Sequence, residues 1–286
     1  MPVAEENQVT SIAPVSASQW VPATHRQSTN RLINALPLAN YQRIASSLTL
    51  LTLKRGQTLY AHGEAQTHVY FPVRGFWSLT RTMEDGSAVE VASVGNEGFI
   101  GVGIALGDTL ATGEARACIT EQSVLALPVA SFRQEMEERG IFSQVIRNYC
   151  EAFVGMILQG TACNALHSAE ARTCRWLLMA HDRVQRNELP VTHEMMAAAL
   201  GLRRPTVTMV FASLTRAGIV GHTRGRAFVL DRNGLEQKSC ECYREVRKTF
   251  DRLLPRVGIG TDAPIGETAR HRQTGRGDAS ELREGN

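Results

Sequence analysis

Between Thr192 and Gly218 the chain reads THEMMAAALGLRRPTVTMVFASLTRAG, two helical patterns separated by a glycine. Thr192 is placed to cap the first helix, which runs through Met195, Met196, Ala197, Ala198 and Leu200. Gly201 stands where the backbone must turn left-handed to end that helix, and Leu202 then reaches back toward the core. The second helix begins at Arg203 and Arg204, accepts Pro205 in its first turn, and turns Val207, Val210 and Leu214 inward. The small Ala197 permits a close crossing. This spacing predicts a helix-turn-helix.

The outer face of the second helix carries Arg203, Arg204, Thr206, Thr208 and Met209, the candidate base-reading residues. An arginine at the N-terminal end of a helix in the major groove grips guanine O6 and N7 together, and a threonine touches a thymine methyl. Downstream, Ile219–Val220, Thr223-Arg224-Gly225-Arg226 and Ala227–Leu230 predict a two-stranded wing with a basic tip. Arg224 and Arg226, together with Thr192, are candidates for the DNA backbone, where contacts position a protein without reading sequence. The competing reading is a helical hairpin with a solvated arginine face. The glycine turn, the twin arginines and the basic hairpin together weigh against it.

Charge follows the same division. The chain has 286 residues and a net charge of +3. Residues 1–167 hold 11 basic against 14 acidic groups, and residues 168–254 hold 15 against 9. A small total therefore conceals an acidic first part and a basic second part, as expected if the second part meets a polyanion. No apolar run approaches the roughly 18 residues that a spanning helix needs, and the N-terminus lacks a secretory pattern. The expected location is the cytoplasm, with no membrane partner.

Upstream, short β-rich runs occupy Leu50–Leu53, Thr58–Tyr60, His68–Val73, Phe76–Met83, Ala88–Val94, Ala115–Ile119 and Ser123–Leu127. Gly-containing turn signals separate them, and Asp85-Gly86 between two alternating runs marks a hairpin. Such a series predicts a jelly roll or related barrel. After Pro128 the period becomes helical, with a short helix at Val129–Glu138 and a long one at Ile141–Leu166. Phe142, Ile146, Tyr149, Phe153, Met156 and Cys163 recur near 3–4 spacing in the long helix and form the expected dimer interface, against the alternative of a helix buried in one subunit. Ser168 caps the next helix, and a last helix is expected over Gly234–Leu254. The fold class is α+β. Its expected parts are a disordered tail (1–28), a β-roll sensor (29–139), a dimerisation helix (140–167), a winged helix-turn-helix (168–254) and a second disordered tail (255–286).

That order of parts resembles the Crp/Fnr family of bacterial transcription regulators over about residues 30–254. The resemblance rests on Arg55-Gly56-Gln57-Thr58-Leu59-Tyr60, His68-Val69-Tyr70-Phe71-Pro72, Glu84-Asp85-Gly86, Gly98-Phe99-Ile100-Gly101 and Thr192–Gly218. It implies a cyclic-nucleotide-binding-like β-roll, a homodimer on a two-fold symmetric stretch of double-stranded DNA, RNA polymerase as a further partner, and Arg204 as the principal base reader. In the family, a Glu and an Arg-Ser pair hold cyclic AMP. Here Val102 follows Gly101 at the Glu position, and Thr112-Gly113 stand near the Arg-Ser position, with Arg116 on the next strand as a substitute cation. A buried phosphate without its arginine loses a charge-assisted partner. The expected effector pocket is therefore Gly101, Val102, Thr112, Gly113 and Arg116, taking a small molecule other than cyclic AMP; a cyclic-nucleotide-responsive regulator is the alternative.

Six cysteines, Cys118, Cys150, Cys163, Cys174, Cys240 and Cys242, form no C-x-x-C pair, and Cys240-Glu-Cys242 falls on an expected helix. The expectation is ordinary reduced thiols, with no metal and no cofactor. A cupin-like metalloenzyme would need a His-x-His pair where the chain offers only His62, Glu64 and His68, and no Ser or Cys nucleophile sits in a recognisable elbow. No catalytic residue is expected.

Overall fold

A computed structural model describes residues 20–22, 29–119 and 121–254. The disordered tails expected over 1–28 and 255–286 otherwise lie outside these residues. Trp20–Pro22 depart from the first of them: they form a strand, β1, antiparallel to Thr49–Leu51.

Two short helices, α1 (Arg31–Asn34) and α2 (Leu38–Ala45), precede the sheets. Buried Asn30 fastens them. Its Oδ1 accepts from the amides of Leu32 and Ile33, while its Nδ2 donates to the carbonyls of Pro72 and Gly98 at 2.9 and 2.8 Å. Asn30 thus starts a helix and ties it to the barrel with the same side chain.

The barrel comprises β2 (Thr49–Leu53), β3 (Thr58–Tyr60), β4 (His68–Arg74), β5 (Trp77–Thr82), β6 (Ala88–Val94), β7 (Glu114–Ala117) and β8 (Gln122–Pro128), with helix α3 (Val102–Ala105) between β6 and β7. They make two antiparallel sheets, ordered β1-β2-β8-β4 and β3-β7-β5-β6. The core cluster of the barrel includes Leu51, Val69, Phe71, Trp77, Val94, Phe99, Val124 and Leu127, all fully buried. Gly98 permits one close approach, since a Cβ there would fall 2.1 Å from the Tyr149 ring.

Helix α4 (Val129–Glu137) leads into α5 (Ile141–Leu166), whose 26 residues extend about 39 Å. Phe142, Ile146, Tyr149, Phe153, Met156 and Cys163, the residues expected to join two subunits, are all buried inside the protomer. The first five belong to the barrel's core cluster, where Tyr149 packs on Phe99 and Phe250. That stripe is consumed internally because the sheet and the C-terminal helix cover it. The exposed stripe is the other one: Val154, Leu158, Ala162 and Ala165, followed by Leu166.

Beyond Ser168, which caps α6 (Ala169–Val184) by accepting from the Ala171 amide, come β9 (Glu188–Leu189), α7 (His193–Leu200), α8 (Arg204–Arg216), β10 (Val220–Thr223) and β11 (Arg226–Val229). The expected helix over Gly234–Leu254 is two helices, α9 (Arg232–Lys238) and α10 (Cys242–Leu253). The chain breaks at Ser239, which is extended at φ −74°, ψ 152°. The break lets α10 fold back along α5, burying Val246, Phe250 and Leu254 in the barrel's core.

Candidate nucleic-acid interface and effector cavity

Thr192 Oγ1 accepts from the Met195 amide at 3.1 Å, which starts α7. Gly201 ends it at φ 60°, ψ 38°, and the Leu202 amide closes the turn on the Ala197 carbonyl at 2.9 Å. The left-handed geometry is costly for any residue with a Cβ. Val207, Val210, Phe211 and Leu214 lock the inner face of α8 into the core. Arg203, Arg204, Thr208 and Met209 are exposed, Met209 to 67%, and Thr206 is half-buried. Neither Arg203 nor Arg204 forms an ion pair with a carboxylate among the described residues.

Thr208 departs from a free base-reading group. Its hydroxyl donates to the Arg204 carbonyl at 3.1 Å and lies 3.1 Å from His193 Nδ1, leaving mainly its methyl to the exterior. Thr192 has spent an oxygen lone pair on its cap, and its O–H remains as a donor. In the wing, the strand order is β10-β11-β9, and Gly225 turns the tip at φ 81°. Arg224 is exposed there, whereas Arg226 pairs with Glu188 at 2.7 Å on β9. Beneath the wing, the His193, Phe211 and His222 rings cluster in tilted and edge-on contacts with centroids 4.6 to 6.0 Å apart. Burial, then the neighbouring His222 and Arg204, hold His193 below its ordinary pKa.

In the barrel, Gly101, Val102, Thr112 and Gly113 line a cavity of about 330 Å³, closed by Tyr60, Phe99 and Phe153. Gly101 sits at φ 117°, and a Cβ on Gly113 would lie 2.6 Å from the Thr80 carbonyl oxygen. Arg116, expected in this pocket, is elsewhere. Strand alternation turns it away, and it pairs with Glu114 at 2.6 Å while lining a second cavity between the barrel and α7. The cation in the first cavity is Arg81, whose guanidinium donates to the Thr112 carbonyl. Sequence reasoning missed Arg81 because only the pairing of β5 with β7 brings it there.

Residues 171–238 match the model of the Crp-like helix-turn-helix domain, and residues 50–139 match that of the cyclic nucleotide-binding domain. The chain belongs to the Crp/Fnr family. It is 24% identical over 222 residues to the Global nitrogen regulator of Synechocystis, covering 71% of this chain and 95% of that protein. The fold also matches solved structures. A Crp/Fnr-family regulator from Eubacterium rectale gives a TM-score of 0.58 at 18% identity, covering 74% of this chain and 97% of the other. FixK2 from Bradyrhizobium japonicum gives 0.59 at 16% identity, covering 68% and 98%. This Crp/Fnr chain is a transcription regulator with a helix-turn-helix DNA-binding domain, and its relatives are regulators rather than enzymes. No helix among the described residues is long and apolar enough to cross a membrane.

In this Crp/Fnr regulator the reading unit is docked on the barrel. Trp176 Nε1 donates to Glu90 Oε1 at 3.0 Å, and Ser78 donates to the other oxygen at 2.6 Å. Burial pushes the Glu90 carboxyl up to about 7. Nearby, Arg183 pairs with Glu97 at 2.7 Å and donates to Ser93 Oγ at 2.8 Å. Burial alone would raise Glu97, but the charge and hydrogen bonds of Arg183 outweigh it and hold the carboxyl below its ordinary value. Glu90, Glu97 and Arg183 carry no signal in the sequence, since each lies more than 80 residues from its cross-domain partner or from the strand it meets. A further group escaped notice for the same reason: Cys163, His167, Cys240 and Cys242, read as ordinary thiols and a scattered histidine, have ligand atoms within 4.8 Å of one another.

Proposed function

We propose that this regulator binds a two-fold symmetric operator as a homodimer, with α8 in the major groove and Arg204 reading a base. The observation that carries the reading is the start of α8: its inner face is fixed in the core while Arg203 and Arg204 stand exposed and, among the described residues, without carboxylate partners. The exposed stripe of α5, with Val154 48% and Leu158 66% accessible, supports a second copy as its partner. Arg224 grips phosphate, Thr192 donates to it, and Arg226 does so on leaving Glu188. The protein acts in the cytoplasm, where RNA polymerase is a further partner.

The barrel senses a small molecule other than cyclic AMP. Val102 brings an apolar side chain where a ribose hydroxyl needs an acceptor, and Thr112-Gly113 offer no cation. Occupancy biases an equilibrium between the docked arrangement and one that spaces two α8 helices about one turn of DNA apart. Arg81 favours a second reading, in which a cyclic nucleotide binds with its phosphate on that guanidinium.

The test is capture of genomic fragments by the purified full chain, followed by anisotropy titrations on the recovered sites. Phosphate-driven binding must weaken steeply between about 50 and 200 mM salt, and flat binding would overturn the proposal. Repeating the titration with saturating cyclic AMP separates the two effector readings: unchanged affinity and unchanged melting temperature support the first, and a rise in both supports the second.

A further inference from the structure

The fold gathers three cysteines and a histidine where α5 ends and α10 begins. Cys163 and His167 lie four residues apart near the C-terminal end of α5 and share one face of it. The break between α9 and α10 turns Cys240 and Cys242 onto that face. Cys163 Sγ lies 3.5 Å from Cys240 Sγ, and Cys242 Sγ lies 3.4 Å from His167 Nδ1. A tetrahedral zinc ion, about 2.3 Å from sulphur and about 2.0 Å from nitrogen, sets its ligand atoms about 3.5–3.8 Å apart. A disulfide would need about 2.05 Å.

The surroundings suit a bound cation. His167 Nε2 faces Glu241 Oε1 at 3.2 Å, so the ring proton goes to that nitrogen and the Nδ1 lone pair faces the sulphurs. A carboxylate orients a zinc-bound histidine in the same way. Gln159 Nε2 donates to Cys242 Sγ at 3.0 Å. Arg172 and Arg175, both buried, stand within electrostatic reach of Cys163, and the Nε of each lacks a hydrogen-bond partner. Neither pairs with a carboxylate within salt-bridge distance among the described residues; Glu90 reaches Arg175 only through space, and burial drives its carboxyl toward neutrality. Three neutral thiols would leave these guanidinium charges poorly compensated. Zinc held by three thiolates and a neutral imidazole carries a net charge of −1 and offsets one of the two.

We propose that Cys163, His167, Cys240 and Cys242 bind one zinc ion, which clamps the end of α5 to the start of α10. Ser168, the cap of α6, follows His167 directly, so the ion sits at the joint between barrel and reading unit. On binding, the three thiols release their protons to solvent and each sulphur donates a lone pair to the metal.

The experiment is elemental analysis of the full chain purified under reducing, chelator-free conditions. The expected result is about one zinc per chain, lost in the Cys240→Ser/Cys242→Ser double variant and kept in Cys118→Ser and Cys150→Ser. Should the double variant misfold, the wild type decides alone. Cobalt(II) must give tetrahedral thiolate bands in the visible, and Cys163, Cys240 and Cys242 must become open to iodoacetamide only after chelation. The proposal is overturned by wild-type protein without metal and without a cobalt spectrum, by zinc that survives in the double variant, by stoichiometric iron in place of zinc, or by a Cys163–Cys240 disulfide in anaerobically purified protein.

Discussion

Arg204 is the first residue of α8, exposed on a helix whose opposite face is immobilised by Val207, Val210 and Phe211. A rigid support makes a two-pronged hydrogen bond to guanine selective. Arg204→Ala should cost roughly 1–3 kcal/mol and relax preference at one base position, checked by anisotropy on a set of operator variants; equal loss on all sequences would reassign it to the backbone. Arg224 is exposed at the wing tip, so Arg224→Ala should weaken all sequences alike and reduce the magnitude of the salt slope by about 1. Arg226 must first leave Glu188, and its removal should have the smaller effect. The sequence already singled out these three arginines, because helix starts and glycine turns are local events. It could not separate Arg81 from Arg116, because which of them faces the cavity depends on the register of β5 against β7.

Among the elements, α5 shows how periodicity names an apolar surface without naming its partner. Phe142, Ile146, Tyr149, Phe153 and Met156 form a proper stripe, and α10 together with the sheet takes it. Leu158 lies on the stripe that remains. Leu158→Glu should leave protomer stability within about 0.5 kcal/mol and convert the protein to a monomer, measured by sedimentation. Strand β6 carries a pH response. Glu90 is held at about 7, above the unfolded carboxyl value of about 4.3. Its contribution to the docked arrangement is therefore complete below about pH 4.3 and is lost as the pH rises through 7. Protection of β6 and α6, corrected for the intrinsic exchange rate, should fall between about pH 4.3 and 7 in the wild type, and Glu90→Gln should flatten that change.

At the scale of the whole molecule, the two units exchange parts of their cores. Phe76, from the barrel, stacks edge-on to Trp176 at 5.1 Å and lies under Arg183, within the core of the reading unit. Val246, Phe250 and Leu254, from the C-terminal helix, lie within the barrel's core. Undocking therefore exposes apolar surface on both sides, which sets a free-energy step that an effector has to offset. Phe76→Ala should destabilise the docked state by about 3–5 kcal/mol. In calorimetry one cooperative transition should split into two, and an unchanged single transition would show that the shared core does not couple the units.

Local chemistry determined much by itself. The helix-turn-helix, the basic wing, the strand-rich first half and the split between acidic and basic parts all follow from caps, glycines, alternation and charge, which act over a few residues. Tertiary structure alone decided the rest. It chose which stripe of α5 stays exposed, moved Arg116 out of the cavity and Arg81 in, and set Glu90 against Trp176. By breaking one expected helix at Ser239 it also drew Cys240 and Cys242 to Cys163 and His167 across more than seventy residues of chain. Contacts of that separation are selected by how whole elements pack, and no window of sequence contains both partners.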